Sequence, residues 1–93
     1  MNPTTEPLAG KVALVTGSSR GIGAAIARRF ARGGARVAVH GRDPAALAAV
    51  HGEIERDGGR AIQVAADVTS YAEIETMRLR IEHELAPIDI LVG

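Results

Sequence analysis

The 93-residue chain has no cysteine, no tryptophan, one tyrosine, one phenylalanine and a single lysine. Without cysteine there are no disulfides, iron–sulfur clusters, thiolate zinc sites or cysteine nucleophiles. The three histidines, His40, His51 and His83, are scattered along the chain and make a poor metal set. Eleven basic and eleven acidic side chains leave no formal net charge, so the balance gives no support for a polyanionic partner. No apolar run approaches the roughly 18–20 residues needed to cross a bilayer. The opening MNPTTEPLAG has neither the basic nor the apolar segment of a signal peptide. The expectation is a cytoplasmic globular protein with no membrane and no nucleic-acid partner. Hydrophobic residues make up 46% of the chain but aromatics only 2%, so its interior must be built from Ala, Val, Ile and Leu.

Residues 1–10, with Pro3, Pro7 and Gly10, read as a loose lead-in held by little more than Leu8 and Ala9. From Lys11 the pattern changes. Residues 12–15 (VALV) form a continuous apolar run rich in β-branched residues, as in a strand buried on both faces. A glycine-rich turn leads into a helix over 22–32, where Ile22, Ile26 and Phe30 recur every four residues and Arg28, Arg29 and Arg32 take the other side. Gly33 and Gly34 stop it. The unit then repeats. Residues 36–40 (RVAVH) make a second strand, and Asp43 caps a helix over 44–57 that begins at Pro44 and turns Leu47, Val50 and Ile54 inward. Residues 60–66 (RAIQVAA) make a third strand. Ser70 and Glu73 fit a capping box for a helix striped by Ile74, Met77, Ile81 and Leu85, and Pro87 ends it. Residues 88–92 (IDILV) make a fourth strand. This alternation predicts an α/β fold, βαβαβαβ, on a parallel sheet of four strands and three helices.

The chemistry is concentrated in Thr16-Gly17-Ser18-Ser19-Arg20-Gly21-Ile22-Gly23, between the first strand and the first helix. Gly17 turns the chain off the strand, Gly21 leaves room for a phosphate, and Gly23 lets the helix lie close to the strand. The unpaired N–H groups of the first helical turn, aided by its dipole, then face an anion. No Lys-Ser/Thr follows Gly23, so this is not a nucleoside-triphosphate loop. A dinucleotide pyrophosphate is the ligand this turn predicts.

The string TGSSRGIG resembles the cofactor motif of the short-chain dehydrogenase/reductases, especially the 3-oxoacyl-carrier-protein reductase-like members. The resemblance runs over residues 8–92, from LAGKVALVTG through Asp67-Val68 to the IDILV strand. It implies a Rossmann-type doubly wound parallel sheet, present here in part: residues 11–93 would be the N-terminal portion of an NAD(P)-binding domain. It also implies that Ser18, Arg20 and Ile22 line the pyrophosphate and adenosine side. Asp67 would then bond the adenine amino group while Val68 packs by the ring. NAD-selective relatives carry Asp or Glu at the position of Gly41, and here Gly41 is followed by Arg42. A guanidinium suits a 2′-phosphate, and Arg20 can bring a second positive charge, so NADP(H) is expected over NAD(H). The candidate cofactor-binding set is Gly17, Ser18, Ser19, Arg20, Gly21, Ile22, Gly23, Gly41, Arg42, Asp67 and Val68.

The family's proton donor is a Tyr with a Lys four residues later, supported by a Ser and an Asn. Here Tyr71 and Lys11 stand alone and in the wrong order, and Gly93 takes the first Asn position of the turn after the fourth strand. No catalytic residue is expected within these residues, which alone should be inactive. The parent protein is expected to be a homo-oligomer, dimer or tetramer, moving a hydride between the nicotinamide and a carbonyl or alcohol, 3-oxoacyl thioester reduction included. The other reading is a non-catalytic nucleotide-binding or interaction module on a truncated Rossmann fold. His40 reads as structural, His51 and His83 as solvent-facing, and Asp89 as lacking an obvious second carboxylate to pair with.

Overall fold

A computed structural model describes residues 6–93. Seven elements alternate: β1 (Val12–Val15), α1 (Gly21–Arg32), β2 (Arg36–Gly41), α2 (Pro44–Arg56), β3 (Arg60–Ala65), α3 (Tyr71–Glu84) and β4 (Ile90–Val92). The four strands are parallel, in the order β3-β2-β1-β4. The expected partial Rossmann-type α/β sheet is therefore present.

Side chains of a strand alternate between faces, and the core divides accordingly. Ala13, Val15, Val37, Val39 and Ala61 pack with α1 and α2 on one face. Val12, Leu14, Ala38 and Val64 pack with Met77, Ile81 and Leu85 of α3 on the other. Each strand of VALV-type sequence is covered twice, which is why β1 needs no polar residue anywhere along it. The inner faces of α2 (Leu47, Val50, Ile54) and of α3 (Met77, Ile81, with Leu85 just beyond) fall where the periodicity predicts.

Helix α1 differs from expectation. Its buried face is Ala24, Ala27 and Ala31; Ile26 and Phe30 are only partly buried against the core, and Ile22 is 81% exposed. The reason lies at Gly23, where an added Cβ would stand 2.2 Å from the Gly17 carbonyl oxygen. A helix drawn that close to the strand can present only small side chains along the contact. The larger residues are displaced to its flank.

The strand ends also shift slightly. β2 runs on to Gly41, which pairs with Ala65. β3 stops at Ala65 because the carbonyl of Ala66 bonds the imidazole of His40 at 2.9 Å instead of a neighbouring strand. β4 is shorter than residues 88–92. The Asp89 N–H donates to the Val12 carbonyl, but it is the Asp89 carboxylate, not a backbone carbonyl, that accepts from the Val12 N–H at 2.9 Å. Asp89 thus has a partner, the first amide of β1.

Of the lead-in, residues 1–5 lie outside the described residues, Pro3 among them. Residues 6–10 form a turn in which the Leu8 N–H donates to the Gly33 carbonyl, while the Leu8 side chain packs on the α1 side of the core.

Candidate dinucleotide-binding site

All four strands point the same way, so their carboxyl ends share one edge of the sheet. That edge carries the Gly17–Gly23 turn after β1, Gly41 and Arg42 after β2, and Asp67 and Val68 after β3. The candidate residues drawn from three separate stretches of sequence therefore converge.

In the turn, Gly17 (φ +63°) and Gly21 (φ +61°) occupy left-handed backbone, which a side chain would strain. Helix α1 opens from Arg20 in extended conformation with no side-chain cap and no acidic residue in its first turn. The other helices are treated differently. The Asp43 Oδ1 accepts from the Ala45 and Ala46 N–H groups at α2, and the Ser70 Oγ accepts from the Glu73 N–H at α3. The leading amides of α1 are left for an outside acceptor, and its last turn carries Arg29 and Arg32, the sign favoured there. The Glu73 carboxylate does not close the capping box at Ser70; its Oε1 accepts from the Asp67 N–H instead.

Ser18 is fully buried. Its N–H donates to the His40 carbonyl at 2.7 Å and its Oγ accepts from the His40 N–H at 2.8 Å. Expected to line the pyrophosphate, it is instead turned inward, fixing the turn to β2. Ser19 lies over Gly41: an added Cβ at Gly41 would come within 2.9 Å of the Ser19 Cβ and 3.0 Å of its Oγ. The turn itself thus leaves no room for a side chain at position 41.

Arg20 and Arg42 are both largely exposed, and each faces a carboxylate: Arg20 to Asp43 at 3.1 Å, Arg42 to Asp67 at 3.2 Å. Asp43 thus does two jobs, capping α2 with Oδ1 and holding Arg20 with Oδ2. Asp67 accepts from the Thr69 hydroxyl at 2.6 Å and from the Thr69 N–H at 2.9 Å. Those bonds, the hydroxyl's foremost, together with the nearby Arg42 guanidinium hold its carboxyl below the usual carboxylate range. Ile22 and Val68 stand exposed on the same rim.

His40 is buried, as a structural residue should be, and it sits within this site. His51 is only partly exposed and contacts Glu55 across one helical turn at 3.3 Å, while His83 is exposed. Tyr71 is exposed at the start of α3, and Lys11 lies at the opposite end of β1 from the turn. The two are not brought together. Two of the three arginines of α1 are engaged at α2 and its C-terminal end, Arg28 with Glu53 at 3.5 Å and Arg32 with Asp57 at 3.8 Å. Among the described residues no group of three or more His, Asp or Glu could hold a metal ion, and no helix is long and apolar enough to cross a membrane.

The family model for short chain dehydrogenase matches residues 11–93. Among curated proteins, 2,3-dihydro-2,3-dihydroxybenzoate dehydrogenase of Bacillus subtilis is 42% identical over 84 residues, covering 90% of this chain and 32% of the relative. Among solved structures, a citronellol catabolism dehydrogenase of Pseudomonas aeruginosa superposes with a TM-score of 0.91 at 33% identity, covering 95% of this chain and 37% of that one. A metagenomic short-chain oxidoreductase in complex with NADP superposes with a TM-score of 0.87 at 42% identity, covering 91% and 38%. The chain belongs to the short-chain dehydrogenase/reductase family and has part of its Rossmann-type fold. It spans about a third of the length of these relatives.

Proposed function

We propose that the protein is an NADP(H)-dependent oxidoreductase acting on a small carbonyl or alcohol substrate, and that these residues are its cofactor-binding part. The observation that carries the reading is the uncapped N-terminus of α1, opening beside Gly17 and Gly21 at the carboxyl edge of the sheet. The turn residues Gly17, Ser19, Arg20, Gly21 and Ile22 would hold the pyrophosphate, with Ser18 and Gly23 fixing the turn beneath it. Asp67 and Val68 would receive the adenine. The dinucleotide, when bound, supplies the hydride that a carbonyl accepts or an alcohol gives up. What this chain's residues do is bind and orient it, presenting backbone N–H groups to its phosphates.

Preference for the 2′-phosphate rests on Arg42 and Arg20, which are exposed on the rim where the carboxylate of NAD-selective relatives is missing. Each can give up its carboxylate neighbour for a phosphate oxygen. Exposed ion pairs are worth little, about 0–1 kcal/mol, so giving one up for a doubly bonded phosphate is favourable. The metagenomic relative solved with NADP supports the same cofactor class. Reduction of a 3-oxoacyl thioester falls within this reading, in a cytoplasmic homo-oligomer of two or four subunits.

Titration of the full-length protein with NADP⁺ and NAD⁺ tests the cofactor assignment. Arg42→Ala should weaken NADP⁺ by about ten- to a hundred-fold, the loss of one charge-assisted contact, and leave NAD⁺ within about three-fold. An unchanged ratio between the two cofactors in Arg42→Ala would show that the 2′-phosphate is bound elsewhere or not at all.

A further inference from the structure

We propose that His40 is a positioning residue of the dinucleotide site, locking the phosphate turn to the adenine side through one neutral imidazole tautomer; this deepens the cofactor reading and rests on it. His40 is the penultimate residue of β2, 5% exposed, on the sheet face covered by α3. The Gly17 N–H donates to its Nδ1 at 3.1 Å, and its Nε2 lies 2.9 Å from the Ala66 carbonyl. A backbone N–H can only donate and a carbonyl can only accept. Nδ1 must therefore be bare and Nε2 must carry the proton. One ring thus spans from the first glycine of the turn to the residue immediately before Asp67. The backbone of His40 adds the bonds to Ser18 described above, so the whole Gly17–Ser18 corner is referenced to this residue.

Protonating the ring puts a hydrogen on Nδ1 that points at the Gly17 N–H. Two donors would then face each other in a partly buried place, so the bond to Gly17 requires the neutral ring. Asp67 and Arg42 face each other, and Glu73 holds the Asp67 amide. None of them bonds the imidazole: both ring nitrogens meet backbone.

An asparagine at position 40 can offer its Oδ1 to the Gly17 N–H, and alanine offers nothing. The test is isothermal titration of the full-length protein with NADP⁺ and with NAD⁺ at about pH 8. His40→Asn should bind both cofactors within about three-fold of wild type, whereas His40→Ala should lose on the order of ten-fold with both, as for one lost hydrogen bond. Imidazole ¹⁵N shifts of the wild type should report the Nε2–H form, a readout that stands even if His40→Ala fails to fold. The proposal is overturned if His40→Ala binds as wild type does, if His40→Asn binds as weakly as His40→Ala, or if the ring is found protonated on Nδ1. Absence of binding of either cofactor by wild type would overturn the cofactor reading along with it.

Discussion

At the scale of single residues, the site is built on close approach more than on side-chain chemistry. Gly23 sits 2.2 Å, measured from an added Cβ, from the Gly17 carbonyl oxygen, and that oxygen is backbone that cannot swing aside. Gly23→Ala should therefore push α1 off the turn, costing about 1–3 kcal/mol of stability as other overpacked sites do and abolishing measurable dinucleotide binding. A thermal melt and a cofactor titration check both halves; a variant that melts and binds like wild type would contradict the packing. Gly21→Ala is the useful contrast. Nothing lies within 4 Å of its added Cβ, and the strain comes only from its φ of +61°. Its stability cost should be about 1 kcal/mol, with binding loss the larger effect. The glycine spacing was legible in the sequence because each glycine answers a local steric demand. The inward turn of Ser18 and the two bonds of His40 were not, because their partners lie 22 to 26 residues away, on or beyond other strands.

At the scale of elements, α2 and α3 carry ordinary caps, and those were readable. Asp43 before Pro44 and Ser70 before Tyr71 match local capping chemistry, and both caps are formed. The stripe of α1 was misread because periodicity weighs residues by hydrophobicity, whereas the contact with β1 selects for smallness: Ala24, Ala27 and Ala31 are buried while Ile22 is left on the rim. Asp43 allows the two duties of a cap to be separated. Asp43→Ser keeps an oxygen for the Ala45 and Ala46 amides but removes the carboxylate from Arg20. It should change stability by only a few tenths of a kcal/mol, whereas Asp43→Ala should cost about 1 kcal/mol. Chemical denaturation of the pair checks this. Equal losses in both variants would place the contribution of Asp43 in the ion pair with Arg20.

At the scale of the molecule, β4 is the exposed margin of the sheet. It lies outside β1, with Leu91 67% exposed. Among the described residues its outer backbone N–H and C=O groups have no neighbouring strand, the template for pairing with another chain. Prepared as these 93 residues alone, the protein should be partly unfolded or should associate through β4. It should bind dinucleotide poorly and show no NADPH-dependent reduction of model ketones. Sedimentation velocity, a thermal melt and a turnover assay test this together; a monomer with a cooperative transition and micromolar NADPH binding would contradict it.

The bond between Asp89 and Val12 also sets an order of events in time. Pairing of β1 with β2, and of β2 with β3, joins neighbours separated by one helix. The Asp89 carboxylate reaches an amide 77 residues earlier in the chain. Closing so long a span carries a larger entropic cost than either shorter pairing, so β4 docks on a sheet whose other three strands have already met. Asp89→Ala should then leave the refolding rate of the full-length protein nearly unchanged. Loss of about 1 kcal/mol from that hydrogen bond should appear almost wholly as faster unfolding, roughly five-fold. Stopped-flow measurement of both limbs gives the answer directly: a slowed refolding limb would mean that the last strand in sequence is among the first to dock, and that the sheet is assembled outward from β1 in both directions at once.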